Sequence, residues 1–279
     1  MPIKTINGVE IYYETQGQGE PVLLIPPNWW PCATWNVGVV PELSKRWRTI
    51  IYDGRGTGRS AKPADGYTVK QFADDGIELL NQLGVARCHL VGFAIGGQIV
   101  QALALARPDL VASLTISTTG PGLRGLDGTL RDVGPEALDE IKKIGFEKYI
   151  LEHIDNDHMA YNPEFYRSHR EQAAELARAL WSGQSTVEQY RLHELARLTW
   201  DPLAEAPKLK VPTLVLCGAD DGVERHGSTP EATARRLAPL IPGAELALVP
   251  GVKHMTFWDG DGALKTLQAF IGRHPIGGK

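Results

Sequence analysis

The segment from His89 to Gly97 constrains the fold of this chain more than any other. Its first five residues, His-Leu-Val-Gly-Phe, form an apolar run typical of a parallel strand buried on both faces of a sheet. A helical pattern follows from Ile95 to Ala106 without an intervening loop. Gly92 and Gly96 flank the junction and allow neighbouring backbone to approach closely. The segment therefore predicts a strand that turns sharply into a helix.

The bend at this junction matches the nucleophile-elbow pattern Gly-x-Ser-x-Gly, with Ala94 in the position of the serine. In such a bend the central residue has a strained backbone, which makes its side chain project from the sheet edge. The amide of Ile95, at the N-terminus of the helix, is then predicted to point at a developing oxyanion. The alternative interpretation is a packing turn between strand and helix that has no chemical role.

An acid and a histidine follow the elbow in the chain order that this type of Ser-His-Asp site requires. Asp221 follows the buried strand pattern at Thr213–Cys217 and is the predicted acid, with the neighbouring Asp220 as the alternative. His254 lies just past the last predicted strand and is the predicted base. Taken singly, each residue also has an ordinary interpretation, as a turn or capping aspartate or as a solvated loop histidine.

The rest of the chain alternates strand and helix patterns, which is typical of a doubly wound α/β sheet. A hairpin is predicted from Ile3–Ile6 and Val9–Glu14, joined by the Asn7-Gly8 turn. The alternation stops between residues 120 and 206, where amphipathic helical stretches replace buried strands. Further strands are predicted at 22–25, 49–52, 111–117, 213–217 and 245–249, and helices at 69–83, 163–179, 186–198, 230–240 and 263–271.

These features together resemble the α/β-hydrolase superfamily, from the N-terminal hairpin through the Asp-x-Arg-Gly-x-Gly-x-Ser turn at 53–60 to the elbow, Asp221 and His254. The resemblance implies an α/β fold with a mostly parallel eight-stranded sheet, helices on both faces and a helical cap. The implied core comprises residues 1–120 and 207–279, with the cap, residues 121–206, inserted after the sixth strand. The active site is expected between cap and core.

Ala94 departs from that family pattern and has two explanations. One is a catalytic serine replaced by alanine, which would trap a substrate. The other is a natural alanine, because the chain also resembles the aminoacrylate or carbamate hydrolases of pyrimidine catabolism in its Tyr-Asp-x-Arg-Gly-Thr-Gly stretch, and these can carry alanine at the elbow. In that case a water activated by His254 would attack the substrate.

Further site residues are predicted from the strand at 22–25 and from the aromatic content of the chain. Families of this fold usually carry His-Gly after that strand, but this chain has two prolines, which lack an amide N–H, so Asn28 is the predicted second oxyanion donor. Aromatic side chains are expected to form the substrate pocket, although they could equally be core aromatics. The predicted pocket residues are Trp29, Trp30, Phe93 and Trp181.

The predicted function is hydrolysis of a small to medium, apolar or aromatic carbonyl compound, an ester or a lactone, with no cofactor and no metal. The rival class is a non-catalytic protein that binds a small molecule in the same capped pocket.

Composition excludes several other classes of function. The net charge of −4 gives no basic surface for nucleic acid, and the glycine-rich turn at 53–60 has neither dinucleotide-binding nor phosphate-loop spacing. The three cysteines match no disulfide framework or zinc spacing and are predicted to be reduced core thiols. No signal peptide and no apolar run long enough for a membrane span is recognised, so a cytoplasmic location is expected. The oligomeric state stays open, with a homodimer as one option.

Overall fold

The structure is a computed structural model. It describes residues 2–27, 29–122, 139–140, 143–145, 148, 162–182, 186–222 and 228–277, and the side chains of Pro163, Tyr166 and Trp181 lie outside the described part.

Eight strands form one sheet in the order β1-β2-β4-β3-β5-β6-β7-β8. The β1–β2 and β2–β4 pairs are antiparallel, and all remaining pairs are parallel. The predicted mostly parallel eight-stranded sheet is therefore confirmed. The strands are β1 Ile3–Ile6, β2 Val9–Gln16, β3 Pro21–Ile25, β4 Arg48–Tyr52, β5 Cys88–Phe93, β6 Val111–Ser117, β7 Thr213–Gly218 and β8 Glu245–Val249.

Helices cover both faces of this sheet. Alternate residues of β3 enter two different apolar clusters, because successive side chains of a strand point to opposite faces. Leu23 packs with residues of α2 and α3, and Leu24 packs with residues of α9. The described helices are α1 Val39–Leu43, α2 Val69–Gln82, α3 Ile95–Ala106, α4 Pro163–Ser168, α5 Arg170–Trp181, α6 Val187–Arg197, α7 Pro202–Glu205, α8 Pro230–Leu237 and α9 Gly262–Gly272.

Local chemistry determines where several helices begin and end. Thr186 begins α6 with a capping box, in which its hydroxyl accepts the Gln189 amide and the Gln189 side chain accepts the Thr186 amide. The predicted helical stretch at 163–179 forms two helices, because His169 has a non-helical backbone that separates α4 from α5. The predicted helix at 230–240 ends as an α-helix at Leu237 and continues as a 3₁₀ turn that contains Pro239, which cannot donate a helical hydrogen bond.

Helices α4 to α7 lie between β6 and β7 in the chain, at the position of the predicted insertion. The division into a core and a cap at 121–206 stays a prediction, because residues 123–138 and 149–161 lie outside the described part. The three cysteines are buried and unpaired, as predicted. Within the described ranges, no helix has both the length and the apolar character needed to cross a bilayer.

Candidate active site

Ala94 lies at the strained turn between β5 and α3. Its φ of 54° and ψ of −118° are outside the regions that alanine prefers, a conformation that costs on the order of 1–3 kcal/mol. Two hydrogen bonds hold it there: the Ala94 amide donates to the carbonyl of Ser117 (2.9 Å), and the Thr119 hydroxyl donates to the carbonyl of Ala94 (3.0 Å). The end of β6 therefore maintains the elbow geometry although no nucleophile is present.

The glycines on either side of Ala94 are required by close backbone contact. A Cβ on Gly92 would overlap the carbonyl of Gly96, and a Cβ on Gly96 would overlap the carbonyl of Ile25 at the end of β3. Ile95 is the first residue of α3, where amide groups have no acceptor within the helix. This amide is therefore available to an oxygen atom at the elbow, and its role as an oxyanion donor stays a prediction. Asn28, the predicted second donor, lies outside the described residues.

The structure brings Asp221 and His254 together at the ends of β7 and β8. The Nδ1 atom of His254 lies 3.1 Å from Oδ2 and 3.3 Å from Oδ1 of Asp221. The Asp221 side chain has no exposed surface, whereas 18% of the His254 side chain is exposed. The carboxylate orients the imidazole from behind, so that Nε2 faces away from Asp221. No described residue forms a hydrogen bond with Nε2, which leaves this atom available to a water or a substrate.

The histidine ring lies against the elbow. Phe93, the residue before Ala94, has its ring centroid 5.9 Å from that of His254. Gly218, the last residue of β7, permits this approach, because a Cβ there would overlap the carbonyls of Val252 and Lys253 in the histidine loop.

Asp220 has a different role from its neighbour. Its Oδ2 accepts the amide of Gly251 at 2.9 Å, which ties the β7 end to the loop after β8. The geometry therefore favours Asp221 over Asp220 as the partner of the histidine.

Asp259 is a third carboxylate near the histidine, and sequence reasoning missed it. Its Oδ2 accepts the amides of Lys253 and Asn162, each at 2.9 Å, and the Asn162 side chain also donates to the carbonyl of Gly251 (2.6 Å). Burial raises the pKa of Asp259 to about 6, although these two amides act in the opposite direction. Asp259 thus connects the insertion to the histidine loop. An aspartate in a polar turn carries no sequence signal for such a contact.

The predicted pocket aromatics fall into different environments. Trp29 and Trp30 are half-buried; the ring of Trp29 lies 5.8 Å from Tyr190 of α6, and that of Trp30 lies 6.2 Å from Phe93. Phe93 is only 1% exposed and supports this aromatic wall from behind, so substrate contact by Phe93 stays a prediction. Trp181 ends α5, and its side chain lies outside the described part.

A metal site is not seen among the residues that the structure describes: no three His, Cys, Asp or Glu side chains are grouped so as to hold an ion. The Asp221–His254 hydrogen bonds and the first amide of α3 provide a base that an acid orients, beside a helix N-terminal amide.

Comparison with known proteins places this geometry in context. A family model described as "alpha/beta hydrolase fold" matches residues 25–261. A protein of Stutzerimonas stutzeri named "Putative carbamate hydrolase RutD" is 29% identical over 86% of this chain and 88% of its own length. The solved structure of Est816, described as an N-acyl homoserine lactone degrading enzyme, superposes with a TM-score of 0.76 at 27% identity, covering 96% of this chain and 99% of that one. The enol-lactonase of Burkholderia xenovorans LB400 has a TM-score of 0.77 at 24% identity, over 97% and 100% of the two chains, which shows a shared fold.

Proposed function

Because this chain belongs to the α/β-hydrolase fold family, we propose that it hydrolyses a small to medium, uncharged carbonyl compound with an apolar or aromatic body. Esters, lactones and carbamates are the candidate classes, since similar proteins are named for carbamate and lactone substrates. The observation that carries the proposal is the Asp221–His254 pair, with Nδ1 bonded to the carboxylate and Nε2 open.

In the chain as it stands, alanine at the elbow forms no acyl intermediate, so the attacking group is a water molecule. His254 Nε2 takes a proton from this water as its oxygen bonds to the substrate carbonyl carbon. The carbonyl oxygen becomes an oxyanion, which the amide of Ile95 stabilises. Asp221 stabilises the resulting imidazolium, which then returns the proton to the departing oxygen or nitrogen as the tetrahedral intermediate collapses.

A second candidate is a serine hydrolase site in which alanine has replaced the nucleophile. The retained strain at Ala94, with φ of 54°, favours it, because this conformation makes the side chain at position 94 project from the sheet edge, where a serine hydroxyl would be reactive. In that case the serine hydroxyl would attack, His254 would take its proton, and water would later release the acyl group. The chain with alanine would bind its substrate and leave it intact.

The experiment compares the parent chain with Ala94→Ser and with His254→Ala in each background, on small activated esters, lactones and aryl carbamates. Direct water attack predicts turnover by the parent that His254→Ala abolishes. The replaced-serine candidate predicts an inactive parent and, in Ala94→Ser, a covalent acyl adduct detected by intact-mass spectrometry. Ala94→Gly is the matched control, because it changes the elbow without supplying a hydroxyl. Saturable substrate binding without turnover in either chain would instead indicate a binding protein.

A further inference from the structure

A cavity adjoins the elbow on the side away from His254. Asp221 and His254 follow β7 and β8, whereas this cavity lies at the ends of β3 and β4, on the other side of β5. Most of its wall is apolar: the residues that form this part are Ile25, Pro26, Trp30, Phe72, Ile95 and Ile99.

Trp30 and Ile95 connect the cavity to the reaction centre. Trp30 lines the cavity, and its ring centroid lies 6.2 Å from that of Phe93, which contacts the ring of His254. Ile95 lines the cavity with its side chain while its amide begins α3 beside Ala94. A substrate with its carbonyl at the Ile95 amide can therefore extend one arm towards His254 and the other into the cavity.

One polar group of the cavity has no protein partner. Tyr52, the last residue of β4, is 3% exposed, and its hydroxyl forms no hydrogen bond with any described residue. Burial raises the pKa of Tyr52, and the nearby Asp75 carboxylate raises it further, so the phenol stays protonated. A ligand atom in the cavity can therefore accept a hydrogen bond from this hydroxyl.

The charged groups of the cavity are already neutralised by each other. Arg55 donates to Asp75 through Nε (2.7 Å) and Nη2 (2.8 Å), and Asp75 also accepts from the side chains of Asn7 and Gln71. An anionic ligand would face the Asp75 carboxylate and a cationic one would face the Arg55 guanidinium. The cavity thus suits an uncharged group.

We propose that this cavity is the subsite for the non-departing arm of the substrate, and that it accepts an uncharged, mainly apolar chain whose far end accepts a hydrogen bond from Tyr52. The identification of this arm depends on the proposed hydrolytic function, because the departing group must lie near His254. The binding preference itself does not depend on hydrolysis.

The test uses ligands that cannot be hydrolysed. Hexan-2-one and hexane-2,5-dione have the same chain length, but only the dione carries a second acceptor. Titration of the parent chain by ligand-observed NMR should show the dione binding about five- to tenfold more tightly, as expected for one additional hydrogen bond. Tyr52→Phe should abolish that preference without weakening hexan-2-one. Ile99→Phe, which fills the cavity, should weaken both ligands.

The fold of each variant is checked by thermal unfolding. Tyr52→Phe is expected to leave the Tm unchanged or raise it, because the lost hydroxyl has no protein partner. A crystal structure with the dione provides a second measurement, and should place a carbonyl oxygen within hydrogen-bond distance of Tyr52 Oη. A dione preference that survives Tyr52→Phe, or a dione bound on the His254 side alone, would overturn the subsite. If neither the parent nor Ala94→Ser hydrolyses any substrate while the Tyr52-dependent preference holds, the hydrolytic function fails and the subsite stands.

Discussion

On each side of the elbow, a buried carboxylate pairs with a basic side chain. On one side, Asp221 holds His254, whose side chain is 18% exposed and faces the reaction centre. On the other, Asp75 holds Arg55, and the nearby His193 of α6 donates from Nε2 to the carbonyl of Arg55 at 3.1 Å. Similar residue types thus occur twice, but His254 bonds a carboxylate whereas His193 bonds a backbone carbonyl.

The difference lies in burial and in what the histidine contacts. His193 is 5% exposed, and its ring stacks on Phe72 with centroids 5.2 Å apart. Burial lowers the pKa of His193 to about 4, so it is neutral near pH 7 and serves as a hydrogen-bond donor. The Asp221–His254 pair can transfer a proton. The group of Asp75, Arg55 and His193 instead attaches α6 to the turn at 53–60. Residue type alone does not distinguish the two histidines; their burial and their hydrogen-bond partners do.

The largest expected effect is on kcat, and it distinguishes Asp221 from Asp220, the two carboxylates that follow β7. In an Ala94→Ser background that shows esterase activity, Asp221→Asn should reduce kcat by roughly 10⁴, because the imidazole loses its orientation and tautomer. Asp220→Asn is the matched control and should be mild, since the Asp220 side chain bonds the Gly251 amide and not the histidine. Steady-state kinetics at saturating ester measures both. The opposite ranking would assign the acid to Asp220.

The second prediction concerns the contribution of the buried Arg55–Asp75 ion pair to stability. Asp75→Asn should reduce the free energy of unfolding by about 3–5 kcal/mol, because it leaves the buried Arg55 cation without a counter-charge. Urea titration measures the loss. The double variant Arg55→Leu with Asp75→Leu removes both charges and should recover much of this stability. An Asp75→Asn variant as stable as the parent would show that this pair does not hold the structure together.

The third prediction concerns the pH dependence that His193 introduces. The folded state lowers its pKa from 6.5 to about 4, so the unfolded chain binds the proton more readily. The contribution of neutral His193 is complete above about pH 6.5 and is lost as the pH falls towards 4, by up to about 3 kcal/mol. Urea midpoints measured across this range should fall with decreasing pH. His193→Gln should flatten that dependence, and an unchanged slope in this variant would contradict the assignment.

Asp259 is expected to change the stability with pH in the opposite direction from His193, and slightly less strongly. Its pKa rises from 3.8 to about 6 on folding, so the folded state holds the proton more tightly. Between about pH 4 and 6, stability attributable to this group therefore declines as the pH rises, by up to about 3 kcal/mol.

Asp259→Asn removes the ionisation and keeps a carbonyl oxygen for the amides of Lys253 and Asn162. The stability of this variant relative to the parent should increase from pH 4 to pH 7, as measured by urea titration. A constant difference over that range would show that Asp259 does not titrate there.

Most of the fold could be predicted from the sequence because the buried strands are near-continuous apolar runs. The strands β5, β6 and β7 follow from continuous apolar runs, and the helices α2 and α6 follow from helically spaced apolar residues, and the structure contains both. Periodicity did not reveal the single non-helical residue His169, which interrupts the helical stretch at 163–179.

Chain order alone identified Ala94, Asp221 and His254 as neighbours, because the ends of parallel strands meet at one edge of a sheet. The sequence preferred Asp221 but kept Asp220 as an alternative; only the tertiary structure shows that Asp221 contacts His254 while Asp220 bonds Gly251, and that no described residue accepts from the Tyr52 hydroxyl. The physical reason is that hydrogen-bond partners and burial depend on residues distant in sequence: Gly251 for Asp220, and the Arg55–Asp75 pair beside Tyr52.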